Sequence, residues 1–110
     1  MPTKLARLRA QAFVRQQGLC IYCQQPMWLT NPSSIAATYH LTLRQARSFQ
    51  CTAEHLIARQ DGGGDTADNI AAACFACNKR RHHRKKPKEP TAFIAFVQQR
   101  MAQGRWHAYR

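Results

Sequence analysis

Acidic residues are scarce in this 110-residue chain: five Asp and Glu stand against 17 Lys and Arg, a formal net charge of +12. That imbalance says little about fold, but it favours an anionic partner. Long apolar runs are missing as well. No stretch approaches the roughly 18 consecutive apolar residues of a spanning helix, so the partner expected is nucleic acid rather than a membrane. The segment Met1-Pro2-Thr3-Lys4-Leu5 lacks the apolar core and small-residue cleavage site of a signal peptide, and a reducing cytoplasm is the expected compartment. No internal repeat, low-complexity tract or second hydrophobic pattern is visible, so one domain over residues 1–110 is expected.

A domain of this size buries a modest core and gains from a covalent or metal staple. Five cysteines are present, and in a reducing compartment they argue against a disulfide framework. Four form two CxxC pairs, Cys20-Ile21-Tyr22-Cys23 and Cys74-Phe75-Ala76-Cys77. Four thiolates suit a closed, tetrahedral structural zinc site. The 50 residues between Cys23 and Cys74 far exceed the roughly 15–20 of a compact zinc ribbon, so the fold itself must bring the pairs together. A redox dithiol fits less well, because no βαβ pattern surrounds either pair. Cys51 is left over and reads as a small core residue.

Local patterns place the elements. Leu5, Leu8, Ala12 and Phe13 recur at helical spacing behind a Thr3 cap and before Gly18, predicting a helix over 3–17. Asn31-Pro32 resembles a helix start, and Thr42 with Gln45 has the form of a capping box, so two short helices fit between the cysteine pairs. From Ser48 to Ile57, Phe49, Cys51, Ala53, His55 and Ile57 alternate with more polar neighbours, as in a half-buried strand. Asp61-Gly62-Gly63-Gly64-Asp65 breaks the pattern as a flexible loop, and Asn69 to Ala73 forms a short return strand. A helix from Cys74 is expected to run through the basic stretch to Lys86 and stop at Pro87. A last helix over 90–103 presents Phe93, Phe96, Val97 and Met101 on one face and ends at Gly104.

Glu54-His55-Leu56-Ile57, then Gly62-Gly63-Gly64, Asp68-Asn69-Ile70 and Cys74-Phe75-Ala76-Cys77-Asn78 closely resemble the HNH endonucleases, over roughly half the chain. The resemblance implies an α+β fold: a small ββα-metal (His-Me finger) core over about 18–86, a structural zinc site of four cysteines (Cys20, Cys23, Cys74 and Cys77) and flanking helices. It also implies hydrolysis of nucleic-acid phosphodiesters. His55 takes the place of the general base and Asn69 that of a brace across the hairpin that orients it. Glu54 and Asn78 take the places of ligands of a catalytic divalent metal. His82, four residues beyond Asn78, occupies a position that carries a second metal-binding histidine in colicin-type relatives.

The chemistry is coherent without the family. Attack on a phosphodiester needs a base that titrates near neutrality, as histidine does at about 6.5, and a cation to offset charge on the phosphoryl oxygens. Glu54 and Asn78 offer oxygens that suit magnesium or manganese, whereas His82 moves the preference toward softer ions such as nickel. In a regular strand, adjacent Glu54 and His55 face opposite ways, so the strand must end or bulge there. The run Lys79, Arg80, Arg81, Arg84, Lys85 and Lys86 is expected to hold phosphates, most naturally of double-stranded DNA, with strong salt dependence and little sequence preference. Trp28, Trp106 and Tyr109 offer stacking faces, although packing is their commoner use. The competing function is a non-catalytic, zinc-stabilised nucleic-acid-binding protein. Oligomeric state leaves no mark on the sequence; one site cuts one strand, so a double-strand break takes a dimer or two visits.

Overall fold

A computed structural model describes residues 2–109. The elements are mixed α and β. Helix α1 (Lys4–Arg15) begins at Thr3, whose hydroxyl accepts from the Ala6 amide, as the sequence pattern predicts. Helix α2 (Ser33–Thr38) follows the Asn31 side chain, which accepts from the Ser33 amide. Helix α3 (Leu43–Ala46) carries the full capping box: Thr42 accepts from the Gln45 amide, and the Gln45 side chain accepts from the Thr42 amide.

A 3₁₀ turn at Arg47–Phe49 leads into strand β1 (Cys51–His55), which pairs antiparallel with β2 (Ile70–Cys74) in the register Cys51↔Cys74 to His55↔Ile70. The expected strand from Ser48 to Ile57 is thus shortened at both ends, and its alternation fails: Cys51 and Glu54 are buried, while Ile57 is exposed. Helical geometry in the residues before Cys51 and the loop after His55 leave room for five paired positions only.

The two-stranded sheet does not leave its edges bare. Gln16, at the end of α1, donates to the Ala72 carbonyl and accepts from the Ala72 amide, acting as a side-chain strand on β2. On the far side Trp28 pairs with β1, its amide donating to Phe49 O and its carbonyl accepting from the Cys51 amide. Covering edges in this way blocks further strand addition.

Helix α4 (Phe75–Arg81) leaves β2 directly, and α5 (Pro90–Ala102) starts with proline in its first turn. The expected helix to Lys86 is corrected here: α4 stops at Arg81, with His82 as its C-cap. Six of the eight residues from Lys79 to Lys86 are Lys or Arg, and cations in successive turns repel one another with no acid among them to offset this. The core gathers Ala12, Tyr22, Met27, Ala72, Phe93 and Val97 around the four cysteines. Tyr22 meets Phe93 edge-on with ring centroids 4.8 Å apart, a favoured aromatic geometry. Among the described residues no helix is long and apolar enough to cross a membrane.

Candidate active site and cysteine cluster

The fold closes the 50-residue gap in sequence. Cys20, Cys23, Cys74 and Cys77 are all buried, and their sulfurs lie within 4.8 Å of one another, with Cys23 and Cys74 at 3.9 Å. A tetrahedral ion with bonds of about 2.3 Å sets sulfurs about 3.8 Å apart, so the cluster is compatible with structural zinc. N–H donors surround it, as expected of a thiolate site: the Tyr22 and Cys74 amides point at Cys20 Sγ, and the Trp106 indole donates to Cys77 Sγ at 3.2 Å. Trp106 therefore serves packing and the cluster, and Trp28 donates its indole N–H to Ala46 O. Cys51, buried but outside the cluster, is pushed by burial up to about 11 from the ordinary 9.0.

The second constellation sits where β1 ends. Glu54 is the most deeply buried acid, 1% exposed, and carries three donors: the Tyr22 hydroxyl (2.6 Å) and Arg81 Nη1 (3.0 Å) on Oε2, and His82 Nε2 (2.7 Å) on Oε1. A buried carboxylate needs such company, because an unpaired one is too costly to keep charged. Burial, followed by the Glu54 charge, raises the Tyr22 hydroxyl well above its usual range and keeps it a donor.

The sequence places Arg81 on the phosphate-binding surface. The structure corrects this: its side chain is 5% exposed and also donates to the carbonyls of His55, Leu56 and Lys88. The partner it needs was already in the chain, in the one acid that β1 carries inward. Lys79, Arg80, Arg84, Lys85 and Lys86 remain exposed, with Arg80 stacked 4.7 Å over the Trp106 ring and donating to Trp106 O.

His55 is the last residue of β1, so the strand ends at the point where neighbouring side chains must serve different partners. Its imidazole is 15% exposed, and Nε2 lies 2.8 Å from Asp65 Oδ1. Asn69 closes the loop beneath it. Its Oδ1 accepts from the Ile57 amide, while Nδ2 donates to Ile57 O and Gly64 O. Gly63 permits that closure, since a Cβ there would fall 1.7 Å from Ile57 O.

Asn78 is drawn toward β1, donating through Nδ2 to Thr52 Oγ1 and Ala53 O. A carbonyl accepts only from a donor, which assigns nitrogen to that side and turns the amide oxygen away from it. The Glu54–His82 pair is brought into contact, with His82 reaching it from the C-cap of α4, where its amide still donates to Asn78 O one turn back. Among the described residues the cysteine tetrad is the one group of three or more His, Cys, Asp or Glu side chains close enough to share an ion.

A glycine loop between paired strands, an asparagine closing it, and a helix led in by cysteines now stand as one unit. Residues 42–84 match the HNH endonuclease family. The HNH segment takes in α3, β1, the loop, β2, α4 and most of the basic run, while α1, the first CxxC pair and α5 lie outside it. No curated protein and no solved structure matches the chain.

Asp65 in the HNH segment is a site residue that sequence patterns missed. It stands in a loop with neither strand nor helix period, so nothing local marks it as the neighbour of His55. The weak signal was compositional: one of only five acids lies just past three glycines.

Proposed function

We propose that the protein is a metal-dependent endonuclease that hydrolyses DNA phosphodiester bonds. The observation that carries this is a partly exposed imidazole on the last residue of β1, one position along the chain from Glu54, whose carboxylate contacts His82, in a segment of HNH type with exposed cations following it. In this reading His55 is the general base toward water, and Asn69 holds the loop that carries it.

Glu54 Oε1 and His82 Nε2, 2.7 Å apart, are the pair that would hold a divalent ion, and Asn78 would join them as a third ligand by turning its amide oxygen from the orientation in which its nitrogen serves Thr52 and Ala53. The mixed oxygen and nitrogen set admits manganese or nickel as readily as magnesium. Such an ion supplies charge to offset that on the phosphoryl oxygens and leaving group. Zinc fills the cysteine tetrad. Lys79, Arg84, Lys85 and Lys86 hold backbone phosphates and set the salt dependence.

The test is plasmid nicking with magnesium, manganese or nickel, comparing the parent with His55→Ala at matched zinc content. Loss of the base is expected to lower kcat about 10²–10⁴-fold. A second reading, a zinc-stabilised nucleic-acid-binding protein without catalysis, draws on one observation: both Glu54 oxygens already have protein donors. A parent that binds DNA yet cuts none with any of the three metals establishes that reading instead.

A further inference from the structure

Two contacts at His55 compete. Nε2 is 2.8 Å from Asp65 Oδ1 and 3.3 Å from Arg59 Nε. An ionised carboxylate only accepts and a guanidinium only donates, so Nε2 cannot serve both. Both partners are charged, so length decides: the carboxylate contact at 2.8 Å is the stronger against 3.3 Å for the guanidinium, which places the proton on Nε2 and leaves the lone pair of the neutral ring on Nδ1. Arg59 is then held by Asp65 itself, its Nη2 lying 3.4 Å from each carboxylate oxygen.

We propose that Asp65 is the positioning residue of His55: it pins Nε2–H, fixes the ring plane and leaves Nδ1 as the nitrogen that takes the proton from water.

Three features support this role. The segment before Asp65 is anchored, with Asn69 Nδ2 donating to Gly64 O at 3.0 Å and the Gly63 amide donating to Ala58 O at 2.9 Å. The carboxylate is held in its charged form, first by the His55 hydrogen bond and then by the Arg59 charge, below the ordinary carboxyl value. The nearest other acid in sequence, Glu54, is committed to Tyr22, Arg81 and His82 and does not compete for the His55 ring. A histidine base whose second nitrogen is held by a carboxylate keeps one tautomer and one orientation. In the proton transfer, water loses its proton to Nδ1 while Nε2–H stays on the ring, and the imidazolium formed is offset by the Asp65 charge.

The inference rests on the nuclease reading for its kinetic half only, and the experiment separates the two. Zinc-loaded protein labelled with ¹⁵N-histidine is measured by two-bond ¹H–¹⁵N correlation at a pH where imidazole is neutral, for the parent, Asp65→Asn and Asp65→Ala. The parent is expected to show His55 protonated on Nε2. The Asn variant keeps an acceptor and that tautomer; the Ala variant shows both tautomers in exchange.

In plasmid nicking, Asp65→Ala is expected to lower kcat about 10–100-fold. KM stays level or falls, because a negative charge has left the phosphate-binding face, and Asp65→Asn recovers part of kcat. A loop that merely lost its fold raises KM as well and shows in the circular dichroism spectrum. A parent His55 protonated on Nδ1 overturns the proposal, as does an Asp65→Ala variant that keeps the Nε2–H tautomer. A parent that cuts nothing defeats the nuclease reading, and the ring-nitrogen spectrum still decides the Asp65 contact by itself.

Discussion

Replacing Arg81 with methionine tests whether the buried ion pair ties α4 to the hairpin. The guanidinium reaches Glu54 Oε2 at 3.0 Å, His55 O and Leu56 O at 3.3 Å and Lys88 O at 3.1 Å. Removing one member of a buried pair costs about 3–5 kcal/mol, because the other charge is left uncompensated. Here Glu54 retains the Tyr22 and His82 donors, which argues for the lower half of that range. The three carbonyls lose their donor too, but Leu56 and Lys88 are only half-buried and can turn to water, adding about 1 kcal/mol in all. The expected loss is therefore about 4 kcal/mol, a large part of the 5–15 kcal/mol typical of a domain. Urea unfolding of zinc-saturated protein, followed by circular dichroism, measures it. A double-mutant cycle with Glu54→Gln should give a coupling of about 2 kcal/mol or more, since the pair is in direct contact. An Arg81→Met loss below about 1 kcal/mol, or a coupling near zero, refutes the claim that this pair holds the two elements together.

Zinc is expected at one ion per chain, and a strong chelator should unfold the protein and shift the fluorescence of Trp106, whose indole donates to Cys77 Sγ; Cys77→Ser should bind no zinc, and an unchanged spectrum after chelation counts against the staple. Gly63→Ala should fail to fold or lose several kcal/mol, since its Cβ meets Ile57 O at 1.7 Å. Gly62→Ala, in open space at φ +93, should lose only about 1 kcal/mol from backbone strain; equal losses from the two would refute the close approach. Burial holds the Cys51 thiol at about 11 against 9.0 in the open chain, so the folded state keeps this proton longer than the unfolded one. Stability from this source is whole below pH 9 and is lost as pH rises through about 11, about 3 kcal/mol in all. A Cys51→Ala variant should flatten that part of the stability profile relative to the parent.

By itself the sequence determined what depends on neighbours a few positions away. Thr3, the Thr42–Gln45 box and Pro90 mark helix starts because caps are made within one turn. The two CxxC pairs, the glycine loop and Asn69 could be read as motifs because their spacing is local. Tertiary structure alone decided which way the charges face. Glu54 finds its donors 27, 28 and 32 residues away, at Arg81, His82 and Tyr22. Strand period cannot reveal that an acid turns inward when the cations that make burial tolerable arrive from another element. The same holds for Arg81, which looks like one more cation in a basic run until Glu54 is beside it, and for Asp65, placed against His55 by a loop whose course has no period at all. Local hydrogen bonds write themselves into adjacent residues; compensation of a buried charge is written only in the packed chain.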